Sequence, residues 1–174
     1  MELPKRKALR LKNYDYSAPG AYFVTICTHG KACILSEIVG AIHESPENKL
    51  TLCGKYVDEV IGGLSERFDI KIEKYVIMPN HVHLLISIKG NDKRAIRESP
   101  LLRERSILSN VVGYLKMNAS KKIRRKDGKV IWQRGYHDHI IRNTADFEKI
   151  WNYIDTNPLR WELDCFYNAE SAVE

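Results

Sequence analysis

Apolar and polar residues alternate along several short stretches of the chain, a pattern typical of strands with one buried face. Residues 22–28 are rich in β-branched and aromatic side chains, which favour a strand. Pro79 separates two further stretches and favours a bend, so we expect these two to pair as an antiparallel hairpin. The predicted strands cover residues 22–28, 70–78, 81–88, 129–133 and 136–142.

Longer stretches carry apolar residues at helical spacing and predict three helices. The first covers residues 51–67, where Gly62 and Gly63 weaken its later part. The second covers residues 101–123, and the third begins with Thr144 as its N-cap and is limited by Pro158. The irregular residues 40–48 and the polar residues 90–100 are predicted to be loops.

The order of these elements is strand, helix, strand, strand, helix, strand, strand, helix, which predicts an α+β fold with a mainly antiparallel sheet. At 174 residues and 44% hydrophobic content, the chain has enough apolar residues for one core. We therefore expect a single domain at residues 20–160. A basic N-terminal arm at 1–19 precedes it, and a short C-terminal tail at 161–174 follows.

The chain carries a net charge of +6, and the excess is uneven. Between Arg103 and Arg142, eleven Lys or Arg residues stand against three acids. Such a segment suits a polyanion, although a solvated helix face would have the same composition. The four cysteines show no CxxC spacing, and no stretch reaches the length of a membrane span. These features predict a cytoplasmic protein that has no membrane partner.

The strand at 81–88 contains two histidines at alternate positions. Alternation sends His81 and His83 to one face of the sheet, and the other face receives Val82, Leu84, Ile86 and Ile88. Neutral imidazole is a common ligand for divalent metals, and two neighbouring rings could share one ion. Two surface histidines would show the same spacing. A second pair, His137 and His139, is a rival site that we rank below the first.

The last predicted helix places Tyr153 and Asn157 one turn apart on one face. Tyr153 could act as a nucleophile, and the side-chain oxygen of Asn157 could be a metal ligand. Both residues could equally be packing positions, because Trp151 and Ile154 show that this helix contacts apolar surface. The sequence contains no GxxxxGK[ST] loop and no GxGxxG after a strand, which disfavours a nucleotide-binding fold.

Four ordered segments within residues 14–160 resemble the single-tyrosine HUH transposases, particularly the REP-associated tyrosine transposases. In that family HUH denotes histidine, hydrophobic residue, histidine, as in His81-Val82-His83. The segments that carry the resemblance are Tyr22-Phe-Val-Thr-Ile-Cys-Thr28, Tyr75-Val-Ile-Met-Pro-Asn-His-Val-His-Leu-Leu85, Trp132-Gln-Arg-Gly-Tyr-His-Asp-His139 and Tyr153-Ile-Asp-Thr-Asn-Pro158.

The resemblance implies a ferredoxin-like or RRM-like core and a divalent metal, Mg or Mn, held by His81, His83 and Asn157. It also implies that Tyr153 attacks a phosphate of single-stranded, hairpin-forming DNA and forms a 5′-phosphotyrosine link with a free 3′-hydroxyl. Asn157 stands where the family often has Gln, so its reach is shorter. Relatives differ in whether the tyrosine meets the histidines within one chain or across a homodimer, and both arrangements stay open.

Basic residues of the positive segment are candidates for binding the DNA backbone. They are Lys121, Lys122, Arg124, Arg125, Lys126, Arg134 and Arg142. Two other functions remain open from the sequence. One is a non-catalytic hairpin-binding module derived from such a transposase, and the other is a metal-dependent hydrolase of small phosphoesters.

Overall fold

The computed structural model describes residues 14–40, 46–89, 105–123 and 130–167. Within them it confirms a single α+β domain with a mainly antiparallel four-stranded sheet and four α-helices. The strands are β1 (Gly20–Cys27), β2 (Ser36–Val39), β3 (Glu47–Leu50), β4 (Ile70–Ile77), β5 (His81–Ile88) and β6 (His137–Ile141). The helices are α1 (Leu52–Gly62), α2 (Leu64–Arg67), α3 (Ile107–Ile123) and α4 (Thr144–Thr156). A 3₁₀ helix, Pro158–Leu163, follows α4.

The main sheet has the strand order β4-β5-β1-β6, and β2 pairs with β3 in a separate two-stranded sheet. The predicted hairpin of β4 and β5 is confirmed, with an irregularity in register between Ile72 and Lys74. β1 lies at the centre and pairs antiparallel with both β5 and β6. The two strands predicted to contain the histidine pairs therefore flank the same central strand.

The two faces of the main sheet are covered by different helices. On one face the apolar side chains of β1 and β5 form the core with buried residues of α1 and α3, among them Val57 and Leu115. Tyr75 of β4 lies on this face and donates to Asp58 of α1. On the other face Lys74 forms an ion pair with Asp155 of α4 at 2.5 Å. Helix α4 therefore covers the face that carries the histidines.

The helices differ from the predicted ones at their ends. The first predicted helix is divided into α1 and α2 at Gly63, close to the weak point that the two glycines indicated. α3 begins only at Ile107, and residues 101–104 lie outside the described residues. The predicted N-cap of α4 was wrong by one residue, because the side chain of Asn143 and not Thr144 accepts from the Asp146 N–H.

Two predictions about strands were also wrong. Residues 36–50 contain the hairpin β2–β3, which the polar composition around 40–48 concealed; residues 41–45 and the predicted 90–100 loop lie outside the described residues. Residues 130–133 form no strand, and their ladder is reduced to a single bridge between Thr28 and Trp132. No helix within the described parts of the chain has the length and apolar character to cross a membrane.

Gly54 provides a test of how α1 is seated. A Cβ atom at this buried position would lie 2.0 Å from the Leu35 carbonyl oxygen, which Thr51 N–H and hydroxyl groups hold in place. We expect Gly54→Ala to lower the free energy of unfolding by about 1–3 kcal/mol, because the backbone at Leu35 or in α1 must move to make room for the methyl group. Gly62→Ala is the matched control, since nothing lies within 4 Å of its added Cβ. Urea unfolding should show Gly62→Ala unchanged or more stable; equal effects of both substitutions would contradict the packing argument.

Candidate active site

The register of β1 against β5 places the two histidines of β5 beside the centre of the sheet. His83 lies opposite Thr25, and His81 lies opposite Cys27. Both imidazoles point to the face covered by α4, as the alternation predicts. They are buried, with 0% of His81 and 1% of His83 exposed. The histidines are therefore not a surface pair.

Each imidazole presents its Nε2 atom to the other ring. The two Nε2 atoms lie 3.0 Å apart. The Asn80 side chain determines the tautomer of His81, because its amide nitrogen donates to the carbonyl oxygens of Lys31 and Phe166. The Asn80 oxygen must then accept from His81 Nδ1 at 2.9 Å. The His81 Nε2 atom consequently carries a lone pair and no hydrogen.

The second ring has a partner that permits both of its tautomers. His83 Nδ1 lies 2.8 Å from the Thr25 hydroxyl, which can either donate or accept. When Thr25 donates, His83 Nε2–H points at the lone pair of His81. When Thr25 accepts, both Nε2 atoms are free to bind one cation. About 3.0 Å is the separation of two adjacent ligands bonded at roughly 2.1 Å and 90°.

Burial keeps both histidines neutral. It lowers the pKa of His81 to about 4 and lowers that of His83 well below its usual range, and the neighbouring His81 lowers the His83 pKa further. Neutral imidazoles retain the lone pairs that metal binding needs, because no proton has to be displaced at neutral pH. The charge state of the pair therefore suits a cation.

Helix α4 brings the candidate nucleophile to the histidines within one chain. The Tyr153 hydroxyl lies 3.4 Å from His83 Nε2 and donates to the Asp164 carboxylate at 3.2 Å. Phe23 of β1 contacts both the Tyr153 ring and the His83 ring. Burial and the charge of Asp164 raise the pKa of Tyr153 to about 12. In this arrangement the phenol is protonated at neutral pH.

Asn157 lies where α4 ends and is 2% exposed. Its side-chain nitrogen donates to Asp164 at 2.9 Å. Its side-chain oxygen is buried and has no hydrogen-bond partner among the described residues. An unpartnered buried carbonyl oxygen is costly unless a donor or a cation satisfies it. This atom is therefore suited to the ligand role that the sequence predicted.

The sequence analysis missed two polar residues of this site, Asn80 and Asp164. Asn80 lies between the two strands of the predicted hairpin and was given no role, although it orients His81. Asp164 was placed in a C-terminal tail, yet the segment around it packs on the site through Trp161 and Phe166, which contact the His81 ring. The aromatic residues of this segment were the available signal. One ligand atom each from His81, His83 and Asp164 lie within 4.8 Å of one another.

The rival histidine pair lies on the same face but in a different environment. Thr25 faces His83 on one side and His137 on the other, so β6 presents His137 and His139 toward the same face. Both are exposed, and His139 bonds to the Asp146 carboxylate at 2.8 Å. Among the described residues, His137 and His139 belong to no cluster of three ligands of the metal-binding types.

The predicted DNA-binding residues do not converge on the histidines. Lys122 bonds to Glu59 of α1, and it lies with Lys121 at the end of α3 on the opposite face of the sheet. Arg134 follows Gln133, whose N–H donates to Cys27 beside His81. Arg142 follows the far end of β6. The remaining candidates, Arg124, Arg125 and Lys126, lie outside the described residues.

Comparison with known proteins identifies a family whose model covers the histidine pair. Residues 48–95, which include β4, β5 and the histidine pair, match the family model described as "Transposase IS200 like". The whole chain is 32% identical over 173 residues to a Haemophilus influenzae protein of uncharacterized function, with 93% of each chain covered. The chain belongs to the IS200-like transposase family. The predicted resemblance is thereby confirmed.

Other members of this family show how far the similarity extends. A second Haemophilus influenzae protein, provisionally named a REP-associated tyrosine transposase, is 25% identical over 152 residues, covering 86% of this chain and 77% of its own length. A solved structure of a REP-associated tyrosine transposase bound to a REP hairpin has a TM-score of 0.58 at 19% identity. That match covers 87% of this chain and 73% of the other. It shows that the transposase fold is shared.

The buried histidines predict a pH dependence of stability in metal-free, chelator-treated protein. An unfolded histidine binds a proton below about pH 6.5, whereas folded His81 stays neutral down to about pH 4. The unfolded state therefore binds more protons in this window, and stability falls as the pH is lowered through it. We expect a slope on the order of 1 kcal/mol per pH unit between pH 5 and 6.5, measured by urea unfolding. His83→Gln should reduce this slope, and the exposed control His29→Gln should not; identical slopes would refute the burial argument.

Proposed function

We propose that this IS200-like transposase is a metal-dependent single-stranded DNA endonuclease and strand transferase. It acts on hairpin-forming DNA through a 5′-phosphotyrosine intermediate. The observation that carries the proposal is the approach of the Tyr153 hydroxyl to His83 Nε2, 3.4 Å apart within one chain. A partly exposed tyrosine beside two buried, neutral imidazoles suits attack on a phosphate bound to a metal. Because Tyr153 and His83 approach each other in the same chain, we propose that the tyrosine acts within one subunit.

The residues fit a divalent metal, Mg or Mn. His81 and His83 would hold it through Nε2, and Asn157 through the side-chain oxygen that has no partner in the described parts of the chain. The Asn80 carbonyl group fixes the His81 ring in the required tautomer. When bound, the metal would neutralise charge that develops on the phosphate oxygens.

Tyr153 is the proposed nucleophile. Its phenolic oxygen forms a bond to phosphorus while the bond from phosphorus to the 3′ oxygen breaks, and the proton lost by the phenol is balanced by the proton gained at the 3′ oxygen. The phosphotyrosine bond conserves the energy needed for rejoining. Since 38% of the Tyr153 surface is exposed, a DNA backbone can reach it from solvent. Phe23 packs edge-on against the Tyr153 ring and limits its rotation.

We also propose that hairpin DNA is held by the basic residues predicted from the sequence. The structural neighbour carries a REP hairpin, and the net charge of +6 favours a polyanion. Arg134 is the best placed of the described candidates, because it lies at the end of the sheet where β5 begins. Lys121 and Lys122 could contact a distal part of a hairpin that extends around the domain.

The second candidate function is a hairpin-binding module without catalysis. It is favoured by the pKa of about 12 at Tyr153, because very little of this phenol ionises to the nucleophilic phenolate at neutral pH. This candidate predicts salt-sensitive DNA binding that needs no metal. The two functions therefore differ in a measurable covalent product.

The test of the nucleophile is covalent trapping on single-stranded hairpin DNA with Mn²⁺ or Mg²⁺. Wild type should form an adduct that survives denaturing electrophoresis, and Tyr153→Phe should form none, because phenylalanine has no attacking oxygen. Tyr75→Phe is the matched control, since Tyr75 lies on the opposite face of the sheet and bonds to Asp58. It should form the adduct as wild type does.

The outcomes separate the candidate functions. An adduct that persists in Tyr153→Phe would exclude Tyr153 as the nucleophile. Hairpin binding without an adduct in wild type, at any concentration of either metal, would favour the non-catalytic module. Turnover of a small phosphodiester that Tyr153→Phe leaves unchanged would instead indicate a phosphoesterase.

DNA binding gives a further prediction at Arg134. Replacing it by Ala should weaken hairpin binding and reduce the slope of log affinity against log salt by about one, because one phosphate contact is lost. Lys55→Ala is the control, since Lys55 is an exposed residue of α1 on the other face of the sheet. Fluorescence anisotropy across a salt series measures both. Equal slopes for wild type and Arg134→Ala would rule out this contact.

A further inference from the structure

The segment after α4 brings a carboxylate to the histidine pair. The 3₁₀ helix Pro158–Leu163 places Trp161 in a buried position, 8% exposed, and ends at Asp164. Asp164, His81 and His83 each offer one ligand atom, and these three atoms lie within 4.8 Å of one another. Nothing in the local sequence around β5 or α4 predicts this carboxylate.

We propose that Asp164 is a further protein ligand of the metal ion, beside His81 and His83, and that Asn157 positions it. The proposal rests on the proposed function, because it concerns the same metal. It extends the catalytic unit past residue 160, the predicted end of the domain, to include the segment through Asp164. The ligand set then contains two imidazoles, the side-chain oxygen of Asn157 and a carboxylate, a mixed nitrogen and oxygen set that suits Mn.

The hydrogen bonds of Asp164 support this role. Its Oδ1 atom accepts from the Phe166 N–H at 2.8 Å, and its Oδ2 atom accepts from Asn157 at 2.9 Å and Tyr153 at 3.2 Å. An ionised carboxylate has about four lone-pair positions, and the Cys165 side chain also bonds to this one. A cation would therefore take the position of the weakest donor. Because Asn157 bonds to the carboxylate through its amide nitrogen, its side-chain oxygen keeps its lone pairs and has no hydrogen-bond partner among the described residues.

The distances require only a small adjustment. An ion bonded at about 2.1 Å spans ligands up to about 4.2 Å apart, so the 4.8 Å group must contract by roughly half an ångström. The hydrogen bond from Tyr153 is the weakest of the three bonds described above for Asp164. It is the bond that would lengthen as the carboxylate moves toward the ion. Loss of that contact would also release the phenol that the carboxylate now holds.

The experiment measures Mn²⁺ binding to the full chain without DNA. Free Mn²⁺ is followed by electron paramagnetic resonance in wild type, His81→Ala, Asp164→Asn and Glu162→Gln. Glu162 is the matched control, because it is an exposed acid on the same 3₁₀ helix and its substitution makes the same change in charge. We expect Asp164→Asn to raise the Kd at least about tenfold, Glu162→Gln to leave it within about twofold, and His81→Ala to abolish tight binding.

A second measurement does not depend on how the variant folds. Wild-type protein labelled with ¹³C at its aspartate carboxyl carbons should show a ¹³C hyperfine coupling to bound Mn²⁺, because a ligating carboxylate carbon lies one bond from a ligand atom. Absence of that coupling in metal-loaded wild type would overturn the proposal. So would an unchanged Kd in Asp164→Asn while His81→Ala loses the metal. If wild type and His81→Ala bind Mn²⁺ equally weakly, the metal site of the proposed function fails as well.

Discussion

The antiparallel register of β1 against β5 is the constraint on which the site depends. It sets His83 opposite Thr25 and sends Leu84, which is fully buried, into the core on the other face. A slip of one residue would exchange the two faces of β5, exposing apolar side chains to the site and burying both imidazoles among aliphatic groups. Each buried Leu or Ile contributes about 1.5–3 kcal/mol, so the core enforces the register and the register aligns the histidines.

That alignment makes the proposed metal site depend on the burial of the two imidazoles as much as on their being histidines. Two imidazoles 3.0 Å apart would repel each other if both were protonated, and burial removes that state by keeping them neutral. The Asn80 side chain is satisfied by two backbone carbonyl groups and so cannot turn away from His81. Two imidazole side chains that are already held at this spacing lose little conformational entropy when they bind a cation.

The sequence predicted well wherever a strong local period coincided with burial. The strands around His81 and the helix with Tyr153 and Asn157 have such periods, so their faces and their candidate residues followed directly. The two glycines indicated the break at Gly63, but the hairpin β2–β3 depends on contacts with distant parts of the chain, which composition does not encode. Asp164 is the clearest case. It follows a proline and a 3₁₀ helix, whose direction is determined by where Trp161 packs.

The position of Tyr153, the proposed nucleophile, depends on how α4 is held against the sheet. The ion pair of Lys74 with Asp155 contributes little to the energy that holds α4 on the sheet. The Asp155 side chain is 62% exposed, and solvent screens such pairs. Apolar burial of Ile154 and Trp161 on either side of Asn157 supplies most of the docking energy. Tyr153 precedes this anchored stretch by less than one helical turn, so its ring is held near the histidines while its exposed edge remains open to solvent. One short segment thus holds the proposed ligand Asn157 in place and leaves Tyr153 accessible. Ile154 is 1% exposed, whereas its neighbour Tyr153 is 38% exposed.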